Sequence, residues 1–332
     1  MSLIVAGMDV SAQHLDIVIS KAEKKSTAKR FGNTPAGHQA LIKLIRQRKV
    51  QRVCLEATGI YHLDLALALH DSGHVGVMVL NPKAAHNYAK VLLTRHKDDP
   101  TDAGVLAHYA QHMPFQSWQR PSQAALHLRA CARRLATLSK QLTQAKNQYH
   151  ALQASQETPA FILQDAELSI QQLREQIESL RAKAAGLAEA DPTTQEACQL
   201  LCSVKGIAQA SALALLGELL LLPEDMTARQ WVAMAGLDPR HHQSGSSIHK
   251  KARLSKVGNR YLRMALYMPA LSASRHDRHV QGFYQHLMDD QGLKPLQAIC
   301  AVMRKLLHAI HGMLRSGKPF DNTRFYAMPD VA

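Results

Sequence analysis

The arrangement of apolar residues changes once along this chain, about a third of the way from the N-terminus, and this change limits the fold more than any other feature. Before it, short apolar runs at residues 3–10, 15–20 and 52–57 alternate with amphipathic stretches. Such alternation is typical of an α/β domain. After it, residues 123–186 are rich in Ala, Leu, Gln and charged side chains, with almost no strand signal. The chain therefore combines an α/β domain with a long helical region.

The first region has the pattern of a mixed sheet with helices. Its first two apolar strands are separated by a short polar turn, and we expect a third strand near residues 27–31. Thr34 followed by Pro35 is typical of a helix N-terminus, because the Thr side chain caps an amide and Pro has no amide to leave unpaired. We therefore predict an α/β domain with a mixed sheet over residues 1–120.

The pattern of apolar residues in the middle region, residues 121–190, predicts two long helices. Leu138 and Leu142 belong to a series of residues at helical spacing, Pro159 interrupts the pattern, and a second helix is expected over residues 163–187. Two antiparallel helices, or a coiled-coil arm, fit this pattern. The heptads are imperfect, so the partner of these helices is either the same chain or a second copy.

The charge balance indicates a polyanionic partner. Lys and Arg total 40 against 26 Asp and Glu, which gives a formal charge of +14 and a pI near 9.7. Nucleic acid is the polyanion that suits this balance best. No apolar run approaches the roughly 20 residues of a membrane span, and the N-terminus lacks the features of a signal peptide. With five scattered cysteines, which suit reduced thiols, the sequence predicts a cytoplasmic protein with no membrane association.

Acidic residues stand where an α/β domain often places its site. Asp9 and Glu56 end two predicted strands, and Asp99 and Asp102 lie three apart at a predicted helix start. Converging carboxylates repel one another unless cations lie between them, and two magnesium ions roughly 3.5–4 Å apart would also polarise a phosphodiester. A single acid of this kind is more often a turn or cap residue, and Asp98 is placed to cap the helix. The prediction of a metal site depends on the whole set.

The C-terminal region contains a segment, LLCSVKGIAQASALALLGEL, that resembles a helix-hairpin-helix. The usual turn of that motif is Pro-Gly-Ile-Gly, and its backbone amides face a DNA phosphate. Here the turn reads Lys205-Gly206-Ile207-Ala208, so two positions differ. Lys205 is placed to contact phosphate, while a plain helical hairpin remains the alternative.

A basic stretch follows a loop that ends in Gln243-Ser244-Gly245. It surrounds a turn at Gly258 and contains no acid, which suits a phosphate-binding surface better than a merely solvated face. Its six basic residues are Lys250, Lys251, Arg253, Lys256, Arg260 and Arg263. Ser244 lies beside this stretch, although a lone Ser in a loop is usually structural.

The succession GMDVS, CLEATG, NPKAAHNYAK and RHKDDPTDAGVLA resembles the N-terminal half of the DEDD-type insertion-sequence transposases, a family that includes the pilin-gene inverting recombinases. The resemblance implies an RNase H-like domain similar to the Holliday-junction resolvases. It also implies that the family's four acids are Asp9, Glu56, Asp99 and Asp102. Asp98 stands where the family usually has Thr, and the spacing to Asp102 favours Asp99 as the metal ligand.

Residues 200–314 resemble the transposase domain of the same family, so we predict a mainly helical transposase domain over residues 191–332. The family's conserved Ser in its Gln-Ser-Gly motif corresponds to Ser244, with Ser246 and Ser247 as nearby alternatives. The resemblance implies that Ser244 is a nucleophile and that the acids bind magnesium. It further implies a structured non-coding RNA, a bridge RNA, as a partner.

These features predict a transposase and recombinase of a mobile insertion sequence. It would exchange DNA strands with magnesium and a serine nucleophile, as a dimer or tetramer. A site-specific DNA invertase is the alternative within the same class. A junction-resolving nuclease would need the acids but not Ser244, and a non-catalytic DNA-binding protein would need neither.

Overall fold

The computed structural model describes residues 3–21, 24–25, 27–57, 59–92, 99–244 and 248–328. The chain divides into two compact units, Met1–Arg120 and Pro121–Ala332.

A mixed sheet forms the centre of the N-terminal unit. Its strands are β1 (Ile4–Val10), β2 (His14–Lys21), β3 (Lys24–Lys25), β4 (Lys29–Gly32), β5 (Arg52–Glu56) and β6 (Gly76–Leu80). β1, β5 and β6 run parallel in that order, β2 pairs antiparallel with the other edge of β1, and β3 and β4 both pair antiparallel with β2. The mixed α/β sheet expected from the sequence is confirmed, and the expected third strand lies at β4.

Helices cover both faces of this sheet, which explains why its central strands are nearly continuous apolar runs. The helices are α1 (Pro35–Gln47), α2 (Leu63–Asp71), α3 (Pro82–Val91) and α4 (Asp99–His112). Leu41 of α1 and Leu65 of α2 are buried in one apolar cluster, whereas Leu106 of α4 is buried in another with Cys54 of β5. Thr34 caps α1 as predicted, because its side chain accepts a hydrogen bond from the amide of Gly37.

Gly7 lets α4 pack directly on β1. A Cβ at this position would overlap the backbone oxygen of Ala103 and the backbone nitrogen of Ala107. Only a glycine therefore permits the observed approach of helix to strand. This close packing fixes the first turn of α4 near the carboxyl end of β1.

The C-terminal unit is mainly helical. Its helices are α5 (Gln123–Gln153), α6 (Ala160–Glu189), α7 (Pro192–Cys202), α8 (Gln209–Leu219), α9 (Ala228–Ala235), α10 (Arg260–His276), α11 (Arg278–Asp289), α12 (Pro295–Ser316) and α13 (Asn322–Phe325). α5 and α6 pack against each other, with Pro159 immediately before α6, and bury Leu138, Ile170 and Ile177. The remaining helices enclose an apolar core that includes Leu216 and Leu306. Within the described residues, no helix combines the length and apolar character needed to cross a membrane.

One segment differs from the sequence-based expectation. The expected loop before the basic stretch is instead a strand, β7 (Pro239–Ser244), which pairs antiparallel with β8 (Ile248–Leu254). The interpretation as a loop was wrong because these strands consist largely of polar and basic residues. They lack the apolar alternation from which a strand is recognised.

Candidate active site

Two of the predicted acids end neighbouring parallel strands of the N-terminal sheet. Met8 of β1 pairs with Leu55 of β5, so Asp9 and Glu56, the next residue of each strand, lie side by side. Both are partly exposed. The carboxyl ends of parallel strands form one edge of a sheet, and ligands of α/β proteins commonly bind there.

The other two acids lie in the first turn of α4, which begins at Asp99 and includes Asp102. Acidic residues are stabilised there by the positive end of the helix dipole. The close packing of α4 on β1 at Gly7 brings this turn toward Asp9. Asp98, the alternative ligand, lies outside the described residues.

The electrostatics of Asp9 show that the other three acids lie close enough to act on it. The pKa of the Asp9 carboxyl is raised to about 6, first by burial and then by the negative charges of Asp99, Asp102 and Glu56, in that order. A hydrogen bond from the backbone of Val10 opposes this shift. The fold therefore gathers all four predicted acids at one edge of the sheet.

The donor set suits a hard divalent cation, since such cations prefer carboxylate oxygens. In the described part of the chain, no three His, Cys, Asp or Glu side chains stand close enough to hold an ion as they are. A bound cation would therefore draw the carboxylates closer. It would also offset the repulsion that adds to burial in raising the pKa of Asp9.

Sequence reasoning missed two charged residues that border this cluster. Asp16 of β2 is buried directly opposite Asp9, and Arg30 of β4 lies opposite Asp16. The Arg30 guanidinium binds Asp16 and also donates from Nη2 to Oδ2 of Asp99 at 2.8 Å. The sequence did carry a signal for this pair. Asp16 is a lone acid within the apolar strand LDIVIS, and a buried acid needs a partner.

Ser244 belongs to the other compact unit. It is the last residue of β7, and its backbone pairs with Ile248 of β8. Its side chain is not among the described features, and neither are the side chains of Lys250 and Lys251. Gly245, Ser246 and Ser247 lie outside the described residues.

The rest of the basic stretch divides into exposed and structural residues. Arg253, Lys256 and Arg260 are exposed, as phosphate binding requires. Arg263 is partly buried and donates from Nη1 to the backbone oxygen of Ala235 at 2.8 Å, so it holds α10 to the end of α9. In the turn between α7 and α8, Lys205 is also exposed.

An ion pair with a buried carboxylate supports the turn that follows β8. Glu218 of α8 accepts hydrogen bonds from Arg133 of α5 at 2.7 and 2.9 Å and from the Asn259 side chain at 2.6 Å. Asn259 in turn caps α10 by accepting from the amides of Tyr261 and Leu262. The sequence signal for this network was a single acid inside the apolar helix ALALLGEL, which sequence reasoning did not use.

Comparisons with known proteins identify the class of enzyme to which this chain belongs. A family model described as "Transposase", of the DEDD type, matches residues 6–154, and a second, described as "Transposase IS116/IS110/IS902 family", matches residues 198–285. The two matches include all the predicted acids and Ser244. The protein is therefore an enzyme that acts on DNA, a transposase or recombinase.

Proteins of similar sequence show to which family of transposases the chain belongs. The pilin gene-inverting protein of Moraxella bovis is 31% identical over 268 residues, which cover 80% of this chain and 81% of that protein. The pilin gene-inverting protein of Moraxella lacunata is 32% identical over 272 residues, with the same coverage of both chains. The chain belongs to the IS116/IS110/IS902 family of transposases. Among solved structures, Thermus thermophilus RuvC in complex with a Holliday junction substrate matches 33% of this chain and 96% of that one, at 14% identity and a TM-score of 0.27.

Proposed function

We propose that the protein exchanges DNA strands with divalent cations held by its four acids and with Ser244 as nucleophile. The observation that supports the metal site is the gathering of Asp9, Glu56, Asp99 and Asp102, in which burial of Asp9 and then the charges of the other three acids raise the pKa of Asp9 to about 6. An acidic cluster in a chain of formal charge +14 opposes the general attraction to DNA. Magnesium ions, two in the arrangement we favour, would neutralise that local charge.

An RNase H-like fold for the N-terminal unit belongs to the same proposal. The strand order β3-β2-β1-β5-β6, with β2 antiparallel and β1, β5 and β6 parallel, supports it. In this arrangement the central strand β1 carries Asp9 to the site. The neighbouring strand β5 and the helix α4 supply the remaining acids.

The chemistry assigned to Ser244 needs no high-energy cofactor. A bond from Ser244 Oγ to phosphorus would form as the bond from phosphorus to a deoxyribose oxygen breaks, and that oxygen leaves as a hydroxyl. One phosphoester replaces another, so the reverse reaction rejoins a strand. When bound, magnesium would polarise the phosphate and stabilise the charge of the transition state.

The remaining basic residues would bind the DNA backbone. Exposed Arg253, Lys256 and Arg260 support this role, and we assign Lys205, Lys250 and Lys251 to it as well. Arg263 would contribute through the position of α10, given its bond to Ala235. We further propose that residues 121–190 form an arm between a catalytic domain at residues 1–120 and a transposase domain at residues 191–332. A homo-oligomer, dimer or tetramer, with a structured non-coding RNA completes the proposal.

A second candidate function is site-specific DNA inversion. The two Moraxella relatives are described as pilin gene-inverting proteins and match 80% of this chain. The DNA flanking the gene distinguishes the two roles. Element ends with a structured non-coding segment favour transposition, whereas an invertible segment carrying pilin genes favours inversion.

The proposed chemistry is tested with a plasmid recombination assay. We expect Asp9→Ala, Glu56→Ala and Asp102→Ala each to abolish recombination without unfolding the protein, because each removes an oxygen ligand. Ser244→Ala should retain metal and DNA binding but lose strand exchange. Denaturing gels of trapped reactions should show protein attached to DNA for the wild type and none for Ser244→Ala.

Two results would contradict this assignment. Strand cleavage that survives chelation of divalent cations would exclude the metal site. Recombination at the wild-type rate by Ser244→Ala would exclude the nucleophile, and loss of activity in Ser246→Ala or Ser247→Ala instead would transfer the role to that residue. A nuclease that uses water would still cut as Ser244→Ala and would leave no protein on the DNA.

A further inference from the structure

Three charged side chains form a row across neighbouring strands of the N-terminal sheet. Asp9 of β1 pairs with Asp16 of β2, and Asp16 pairs with Arg30 of β4. Residues directly opposite each other in antiparallel strands lie on the same face, with Cβ atoms about 4.5–5.5 Å apart. The row therefore extends the face that carries Asp9 toward the edge of the sheet, where it ends in a guanidinium.

The Arg30 guanidinium joins a buried carboxylate to an exposed one. Its Nε donates to both carboxylate oxygens of Asp16 at 3.1 and 3.2 Å, and Nη2 donates to Asp16 Oδ2 at 2.9 Å. The same Nη2 reaches Oδ2 of Asp99 at 2.8 Å. The Asp16 side chain is 7% exposed, against 55% for that of Asp99. Asp16 thus fixes the guanidinium in place, and the guanidinium in turn holds Asp99.

Without the hydrogen bond from Arg30, the Asp99 carboxylate would be poorly ordered. Asp99 is the first residue of α4, and its side chain is half exposed. An exposed carboxylate at a helix start samples several rotamers, and ordering it costs conformational entropy when an ion binds. A carboxylate that is bound through Oδ2 can still offer Oδ1 to a cation. The bond from Arg30 would therefore order Asp99 without taking away its capacity as a ligand.

We propose that Arg30 is a positioning residue of the metal site, with Asp16 as its anchor. It holds the Asp99 carboxylate at the cluster that Asp9 and Asp102 help to form, so that a divalent cation meets an ordered ligand. This inference rests on the proposed function of the four acids. Residues that do not bind the metal but donate hydrogen bonds to its carboxylate ligands typically contribute about 10- to 100-fold to metal affinity or activity.

The positive charge of Arg30 and its hydrogen bonds have opposite effects on metal affinity, so a measurement of that affinity distinguishes them. A cation beside a metal site repels the metal, so loss of the charge alone would tighten metal binding. Loss of the hydrogen bonds that order Asp99 would weaken it. The direction of the change in affinity therefore tells the two roles apart.

The experiment is a calorimetric titration of the full-length protein with Mn²⁺ in the absence of DNA. We expect Arg30→Gln and Arg30→Lys each to weaken Mn²⁺ binding about 10-fold or more, since Lys keeps the charge but not the forked geometry. Arg120→Gln is the matched control, because Arg120 binds Asp71 in the same unit at 2.8 Å. That variant should bind Mn²⁺ as the wild type does.

A double variant separates positioning from stability. Arg30→Gln leaves the buried Asp16 carboxylate without its partner, which destabilises the fold. Asp16→Asn/Arg30→Gln removes both charges and should recover the unfolding temperature while Mn²⁺ binding stays weak. Wild-type affinity in the double variant, tighter binding by Arg30→Gln, or full recovery by Arg30→Lys would each overturn the role of Arg30.

The same titration distinguishes failure of this inference from failure of the proposed function. A wild-type protein that does not bind Mn²⁺ would overturn the metal site itself, and the role of Arg30 with it. A wild type that binds Mn²⁺, together with Arg30 variants that bind it equally well, would overturn the role of Arg30 alone.

Discussion

Asp9 lies partly buried beside three other acids, and its raised pKa has a consequence for stability. The folded-state pKa of about 6 exceeds the ordinary value of 3.8, so the folded protein holds this proton more tightly than the unfolded chain. The ionised Asp9 carboxylate therefore lowers the free energy of unfolding above pH 6. This penalty disappears as the pH falls toward the ordinary pKa of 3.8. Without divalent cations, Asp9→Asn should raise the free energy of unfolding by about 1 kcal/mol near pH 7.5, after allowance for solvent screening.

Denaturant unfolding in a chelating buffer at about pH 7.5 and about pH 4 checks this sign. The gain should shrink toward zero at the lower pH. Asp71→Asn is the control of opposite sign, because a hydrogen bond from Arg120 holds the pKa of Asp71 below its ordinary value. A stability gain of equal size at both pH values would show that the cost of ionising Asp9, which burial and the neighbouring acids impose, is not its cause.

Single residues also show how far the sequence alone could define the site. The positions of Asp9 and Glu56 at strand ends were predictable because acids that end apolar strands follow a local pattern. The pairing of Asp16 with Arg30, and the role that we propose for it, were not, because they depend on the register of β1, β2 and β4, which a local pattern does not specify. Glu218 was missed for a related reason, since its partners Arg133 and Asn259 lie far from it in sequence.

At the level of elements, the contact between α4 and β1 places half of the acidic cluster. Gly7→Ala would put a Cβ into the backbone of α4 at Ala103 and Ala107, where no side chain can move aside. We expect this change to lower the free energy of unfolding by about 1–3 kcal/mol. It should also weaken Mn²⁺ binding, because α4 carries Asp99 and Asp102.

Gly186→Ala is the matched control for this prediction. Gly186 lies within α6, and no heavy atom comes within 4 Å of a Cβ built there. The same substitution should therefore stabilise the protein by about 0.5–1 kcal/mol, since Ala favours a helix. Thermal unfolding measures both effects. Equal shifts of the unfolding temperature in the two variants would show that α4 does not depend on the missing side chain at Gly7.

Elements differed in how far the sequence could predict them. α5 and α6 were visible because a long helix repeats its apolar positions locally, and Pro159 marked the break between them. The strands β7 and β8 were not, because hydrogen bonds between polar strands leave no apolar alternation. At the open end of this hairpin, Ser255 Oγ donates a 2.5 Å hydrogen bond to Oδ1 of Asp238.

For the molecule as a whole, the division into an α/β unit and a helical unit follows from the hydrophobic period of each region. The order of strands within the sheet does not, because the pairing of β1 with β5 joins segments that are distant in sequence. The family resemblance implied an RNase H-like sheet, and the family matches over residues 6–154 and 198–285 confirm the family itself. Net charge is a further property of the whole chain that the sequence gives directly.

The formal charge of +14 predicts strong, salt-sensitive binding to DNA, to which the basic stretch should contribute distinct phosphate contacts. Replacing Lys250, Lys251 and Arg253 with Ala should weaken binding to all sequences alike and flatten the salt dependence by roughly one unit per lost contact. Fluorescence anisotropy across a salt series, with two unrelated duplexes, measures this slope.

The control for this last prediction removes the same formal charge elsewhere. Lys43, Arg46 and Arg48 lie exposed on or just after α1. Their replacement with Ala changes the net charge equally, so it reports the contribution of the overall field. If the basic stretch binds phosphates directly, its variant should lose more affinity and more slope than the α1 variant. Equal losses in the two variants would assign Lys250, Lys251 and Arg253 to a solvated face and leave only the general charge to attract DNA.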